Sequence, residues 1–434
     1  MRCFSASDIL PIRGEHVNIE DRTRAFDRTL SRQMEFGASV LGPIFAEFAL
    51  RLWIFLNAVE EPEDTCILFC ARGGLRLRLL FERFLKRAGL ESPVVIGDVM
   101  VSRLIAARMA ILDPATAVSS EIGREFYGGT MQTVAHALAQ QTHDLEECWQ
   151  APFDASTFDR LLGADLPGSR WLTQAIEEQN ALFLSHLRHR SGGRRRIILC
   201  DTGLYGSTLR WLERGLPHIK WSCVLLARSN YKGFPTEHFA RTRGLSIEQN
   251  GYIPSIPRTA VFRFWHLIES VLEPRLQSVK SFRMVAGSEE PRSNLEIEKW
   301  EDRLYPDDDG DELFAGVLDY FDQIRGDAIP KIYKDAARAW RRLRRIIVWP
   351  KPADVELLTT GDRSCDFGSS AAIPALSAHG ARRLRSILRS SIWREGEIVQ
   401  TFPVTRSLLL AGIEGAYVGR YACRIIRRLS RSKS

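Results

Sequence analysis

"RRRIILCDTGLYGSTLRWLERG", Arg194 to Gly215, holds the grammar of the fold. The apolar run IILC predicts a buried strand that leads straight into Asp201. A loop of Thr202, Gly203, Leu204, Tyr205, Gly206, Ser207 and Thr208 follows. The spacing of STLRWLERG then predicts a helix ending at Gly215. In an open α/β sheet, ligands bind at the C-terminal ends of strands, where Asp201 stands. Free N–H groups at a helix start, with Ser207 and Thr208 hydroxyls beside them, form an anion cradle. Gly203 and Gly206 let backbone approach closely.

The triplet Asp201-Thr202-Gly203 also spells the loop of an aspartic protease. A pepsin-like enzyme needs two such aspartates, so that one carboxyl stays protonated beside the other. Only one triplet occurs here, and the viral type is a short all-β dimer. A dehalogenase-type phosphatase would want a second aspartate two positions on, where Gly203 stands. That leaves phosphate binding or an ordinary tight βα turn.

The same grammar recurs upstream. TCILFC (65–70) predicts a buried strand, Ala71-Arg72-Gly73-Gly74 a loop, and LRLRLLFERFLKRAG (75–89) an amphipathic helix with arginines on its wet face. Two such loops in one sheet suit a substrate with phosphates at both ends. SPVVIGDVM begins another strand and KWSCVLLAR (220–228) is a fourth. Strands alternating with helices argue for an α/β domain with a parallel sheet. Residues 37–61 have helical periodicity, with Gly42-Pro43 as a place to break. Three regions result: an N-terminal arm and helix (1–45), an α/β domain (46–285) with a helical insertion at about 112–190, and a helical, Arg-rich region (286–434). GSEEPRSN and YPDDDGDE read as linkers, and no internal repeat is visible.

A net charge of +7 favours anionic partners in general. Eight scattered cysteines without a CxxC pair read as reduced, buried thiols of a cytoplasmic protein. The N-terminal residues lack the apolar stretch of a signal peptide, and no apolar run approaches the length of a membrane span. The acids from Asp307 to Glu312 fail the calcium-loop spacing and read as a solvated loop. The nine histidines show no metal-ligand spacing, and His266 reads as structural or at a site rim. No helix-turn-helix is visible, which leaves nucleic acid a minor prospect.

CARGGL resembles the pyrophosphate loop of type I phosphoribosyltransferases, and IILCDTGLYGSTL resembles their motif for 5-phosphoribosyl 1-pyrophosphate (PRPP). Two departures stand out: Cys200 replaces the first acid of that motif and Tyr205 a usual threonine. A narrower resemblance covers roughly residues 36–285. LGPIFAEFALRLW, ILFCARGGL, VMVSRL, IILCDTGLYGSTL and HLIESVLEPRLQSVKSF follow the motif order of PRPP-dependent ribosyltransferase modules of bacterial capsule and O-antigen biosynthesis. Those modules often sit beside a dehalogenase-type phosphatase, and Gly73 stands where they carry an aspartate.

The resemblance implies a phosphoribosyltransferase-like, Rossmann-like sheet flanked by helices, and a transfer that releases pyrophosphate through an oxocarbenium-like centre. It implies that Ala71, Arg72, Gly73 and Gly74 bind pyrophosphate. Thr202, Gly203, Tyr205, Gly206, Ser207 and Thr208 would bind the 5′-phosphate. Asp201 would meet the ribose hydroxyls directly or through water on Mg²⁺, which leans mainly on substrate phosphates. Arg103 and Arg228 are candidate phosphate or acceptor contacts. Glu269 and Glu273 are candidate bases for an acceptor hydroxyl. The implied partners are PRPP, a glycan or lipid-linked glycan acceptor, and a separate phosphatase. The basic, amphipathic tail SLLLAGIEGAYVGRYACRIIRRLSRSKS could rest on the inner face of an anionic membrane. Two other readings stay open: a nucleobase phosphoribosyltransferase of salvage, against which the extra helical mass counts, and a PRPP-binding sensor without catalysis.

Overall fold

The apolar runs pair into one sheet in the computed structural model, which describes residues 29–431 apart from 114–117, 124–125, 127, 232, 307–310, 359–362, 365–371 and 374–382. Its strands are β1 (Thr65–Cys70), β2 (Val95–Val99), β3 (Arg196–Asp201), β4 (Lys220–Arg228) and β5 (Thr242–Glu248). All neighbours run parallel, in the order β2-β1-β3-β4-β5. The α/β expectation holds at this level: five parallel strands flanked by helices, compatible with a Rossmann-like fold. Each central strand is buried on both sides, and the pleat divides its side chains. Ile67, Phe69, Ile198 and Cys200 enter one apolar cluster; Leu68, Cys70, Ile197 and Leu199 enter the other.

The helices are α1 (Thr29–Asn57), α2 (Gly73–Ala88), α3 (Arg103–Ile111), α4 (Val118–Ile122), α5 (Met131–Ala139), α6 (Ala155–Leu162), α7 (Pro167–Ser191), α8 (Ser207–Gly215), α9 (His266–Leu272), α10 (Glu312–Asp322), α11 (Ile329–Val348), α12 (Leu384–Ser390), α13 (Arg394–Thr401) and α14 (Arg406–Arg431). One sheet face is covered by α3, α7 and α8, the other by α2 backed by α1, α9, α10 and α11. Helices of the C-terminal region thus share a core with the sheet.

Four local expectations are corrected. Helix α1 does not break at Gly42-Pro43. It passes through a wide π turn at Gly37–Leu41, where the Gly42 N–H bonds back to the Gly37 carbonyl. It is also long and apolar enough to cross a membrane, with a mean hydropathy of 1.6, where no such run was anticipated; yet 72% of that window is buried inside the fold, as in a core helix. On α2 not every arginine is wet. Arg76 is 1% exposed, donates to the carbonyls of Val271 (2.8 Å) and Leu304 (3.1 Å), pairs with Asp311 and lies over the Phe314 ring. The GSEEPRSN segment is not a free linker either: Arg292–Ser293 pairs with Phe282–Arg283, and Ser293 caps the short helix that follows. Of the acidic loop, residues 307–310 lie outside the described residues.

Cys66, Cys70, Cys200 and Cys223 are buried as anticipated, whereas Cys148 and Cys423 are exposed; Cys3 and Cys365 lie outside the described residues. Burial holds the Cys70, Cys200 and Cys223 thiols well above the ordinary range, so they stay protonated and are poor nucleophiles.

Gly37 sits where α1 meets α10. A β-carbon there would lie 2.1 Å from the Leu313 carbonyl oxygen, a backbone atom that cannot swing away. Gly37→Ala should therefore destabilise the fold by about 1–3 kcal/mol, read as a lower urea midpoint at unchanged slope. An unchanged midpoint would mean that the two helices do not pack this closely.

Candidate active site

The order 2-1-3-4-5 reverses direction between β1 and β3. Connections from their C-terminal ends leave toward opposite faces, and the parting opens a crevice. A cavity of about 970 Å³ lies there, bounded by the ends of all five strands. Its floor is Cys70 to Arg72 after β1, Val101 to Arg103 after β2, and Asp201 to Thr208 after β3. Ser229 after β4 and Asn250 to Tyr252 after β5 complete that side. Helix α9 contributes His266, Glu269 and Glu273 at its end.

The two glycine loops touch each other. A β-carbon on Gly73 would come within 2.6 Å of the Thr202 side chain, and one on Gly74 within 3.0 Å of the Cys200 carbonyl. These glycines do not line the cavity. They let the start of α2 press against the β3 loop, which corrects the expectation that both would face a ligand. The peptide between Ala71 and Arg72 is cis. Cys200 is fully buried and packs into the core beneath α2, which explains a thiol rather than an acid at that position.

Gly206 adopts φ +75° and precedes α8, where a side chain would be strained. No side chain caps that helix. Ser207 and Thr208, the first residues of α8, border the cavity. Tyr205 is different. Its hydroxyl donates to the Pro235 carbonyl, and its ring meets His238 edge-on at 4.7 Å. It fixes the loop shape, and the phenol is not offered to a ligand.

Asp201 accepts the Thr202 N–H at 2.7 Å. Burial pushes its carboxyl above the usual range, opposed by hydrogen bonds from the Thr202 and Gly203 backbone, the Arg103 charge and the Thr208 hydroxyl. Arg103 is thus electrostatically coupled to Asp201; it stands at the first turn of α3, capped by Ser102, rather than on an open strand end. Burial also raises Glu273. Arg72 pulls it down, while Glu269 and Asp201 push it up. Arg72 holds Glu273 at 3.0 Å and donates to the Leu276 carbonyl at 3.2 Å, so it lines the cavity as half of an ion pair. His266 Nδ1 lies 4.0 Å from Glu269.

Arg228 does not reach the cavity. It donates to the Phe239 and Thr242 carbonyls, both at 2.7 Å, and pairs with Glu248, so it braces the β4–β5 connection.

The roof was not read from the sequence. Arg389 comes from α12, Ser391 just after it, Arg394 from α13, and Tyr417 and Arg420 from α14, far along the chain. They are fastened through Arg263, which bonds Glu395 (Nε, 3.0 Å) and Glu414 (2.6 Å) while lying between the Tyr252 and Tyr417 rings. Ser229 was also missed, although its place just after a parallel strand is a legible signal.

Among the described residues no group of three His, Cys, Asp or Glu side chains forms a metal cluster. Asp201, Glu269 and Glu273 still supply the hard oxygen donors that Mg²⁺ takes, and one or two suffice when a diphosphate provides the rest. No family model matches this chain, and a search of curated proteins finds no match to it.

Proposed function

We propose that the protein is a phosphoribosyltransferase that transfers the ribosyl 5-phosphate group of PRPP to a hydroxyl of a glycan, releasing pyrophosphate. One observation carries this reading. Two loops at the parting of β1 and β3, one of them an uncapped helix start, share a cavity with three carboxylates and several arginines. The cradle at Gly206 to Thr208 suits the 5′-phosphate, and the Ala71–Arg72 backbone suits the pyrophosphate. Asp201 suits the ribose hydroxyls.

The acceptor oxygen bonds to the anomeric carbon as the bond from that carbon to pyrophosphate breaks. The hydroxyl proton passes to Glu269 or Glu273. Mg²⁺ bound with the diphosphate would neutralise charge on the leaving group. The chain's own part is to hold both phosphate ends, orient the ring and accept the proton. The product keeps its 5-phosphate, so a separate phosphatase remains part of the proposal.

The test is ³¹P NMR of the protein with PRPP, Mg²⁺ and a panel of glycans and nucleobases. Acceptor-dependent pyrophosphate release supports the transferase and separates glycan from salvage chemistry. Saturable PRPP binding without turnover on any acceptor would make the protein a sensor. No PRPP binding sinks the reading.

The pH profile gives a second expectation. A base must be ionised, and burial raises Glu273, so kcat/KM should fall as pH drops through an inflection above the ordinary glutamate value of 4.5. Arg72 lowers that carboxyl, so Arg72→Ala should move the acid limb to higher pH. An acid limb that stays in place would remove Glu273 from the proton path.

A further inference from the structure

The half of the cavity beneath the roof is left unused by the phosphate loops, and it is built. Three residues that line it each carry a polar group that is buried without a hydrogen-bond partner among the described residues: the Ser229 hydroxyl, the Trp265 indole N–H and the Ser391 hydroxyl. Ser229 is only 1% exposed. Such a group is costly to leave unpaired. Three around one space point to a ligand that carries several hydroxyls.

The same space is also bordered by cations and aromatic rings. Arg420 lies over the Tyr417 ring at 4.5 Å, and Tyr417 meets Tyr252 edge-on at 5.3 Å. Arg394 donates to the Tyr417 hydroxyl at 3.4 Å, and Arg389 borders the same space. Among the described residues none of these three arginines pairs with a carboxylate, whereas Arg263 beneath them takes two. Three guanidinium groups around one space favour an anion, with Arg394 also within electrostatic reach of the Glu395 carboxylate.

We infer that this half of the cavity is an acceptor subsite for an acidic sugar. Its hydroxyls take Ser229, Trp265 and Ser391. Its carboxylate or phosphate takes Arg389, Arg394 and Arg420. The role as acceptor rests on the proposed transfer; the acidic-sugar chemistry rests on the wall itself. Glu269 and Glu273 line the same cavity, within which an acceptor hydroxyl would meet the anomeric carbon.

The experiment is ligand-observed NMR of the full chain with methyl β-glucuronide, glucose 1-phosphate and methyl β-glucoside, each with and without PRPP and Mg²⁺. At least one acidic sugar should bind about tenfold or more tighter than the neutral one, the gain of one charge-assisted contact. The tighter of the two tells carboxylate from phosphate. The double variant Arg389→Ala/Arg420→Ala should erase the preference while its melting temperature and PRPP affinity stay unchanged. Ser229→Ala should weaken all three sugars. Equal binding of the glucoside, no sugar binding in either condition, or a preference that survives the double variant overturns the subsite. The ³¹P signal of PRPP in the same tube separates the two ideas. PRPP bound without acid preference sinks the subsite alone; acidic sugars bound without PRPP sink the transferase alone.

Discussion

Replacing Asp201 by asparagine is expected to lower kcat/KM for pyrophosphate release by roughly 10²- to 10³-fold, the usual effect of removing one preorganised group aimed at developing charge. In the proposed transfer the ribosyl centre gains positive charge as pyrophosphate leaves, and Asp201 is the carboxylate at the parting of the strands. Asparagine keeps the shape and can still accept the Thr202 N–H through its carbonyl, so the loop should stand. The fold should lose nothing. Burial already disfavours the charged form of this carboxyl, so a neutral amide leaves stability unchanged or slightly raised. Steady-state pyrophosphate release and a thermal melt decide the matter together. Turnover that persists in a well-folded Asp201→Asn protein would take Asp201 out of the reaction.

The second large effect is on stability. Arg263→Ala should destabilise the protein by about 3–5 kcal/mol, because it strands a buried charge. The Arg263, Glu395 and Glu414 side chains are 3%, 2% and 10% exposed, and Glu395 draws its ion-pair neutralisation from that guanidinium. Burial already pushes Glu395 up, and Arg263 is what pulls it down. Without the arginine its folded-state pKa rises further above the unfolded value. The folded protein then holds a proton that the unfolded chain gives up, and stability falls as pH rises through that window. Urea titrations at pH 5 and pH 8 should show the larger loss at pH 8. Arg263→Met with Glu395→Met should recover much of it, since apolar pairs often replace buried ion pairs at little cost. A pH-independent loss would trace the effect to packing against Tyr252 and Tyr417 instead.

The floor of the site was legible because its parts are local. A strand, a glycine loop and a helix start are neighbours in sequence, so Asp201, Gly206 and Thr208 could be named from one short stretch. Strand order was not legible. Nothing in TRGLSIE marks it as the edge strand, and β5 takes that place by pairing with β4 rather than by its own pattern. Residue type also misled at Arg228, where an arginine at a strand end looks the same whether it meets a ligand or two backbone carbonyls. The roof had no motif because its contacts come from separate helices that only the fold gathers. Arg420 and Tyr417 read only as part of an amphipathic, basic tail; their place over the cavity follows from Arg263 gripping Glu414.

The separation of floor and roof along the chain has a consequence for synthesis. The five strands and both glycine loops are complete once Tyr252 has been made, but about 170 residues lie between it and Tyr421. At 5–20 residues per second the ribosome needs roughly 10–30 s to cover that distance. For that interval a nascent chain carries the two glycine loops without the arginine-bearing helices above them. Any property that depends on both must await release of the far segment, so in the proposed transfer a growing polypeptide would hold no complete site.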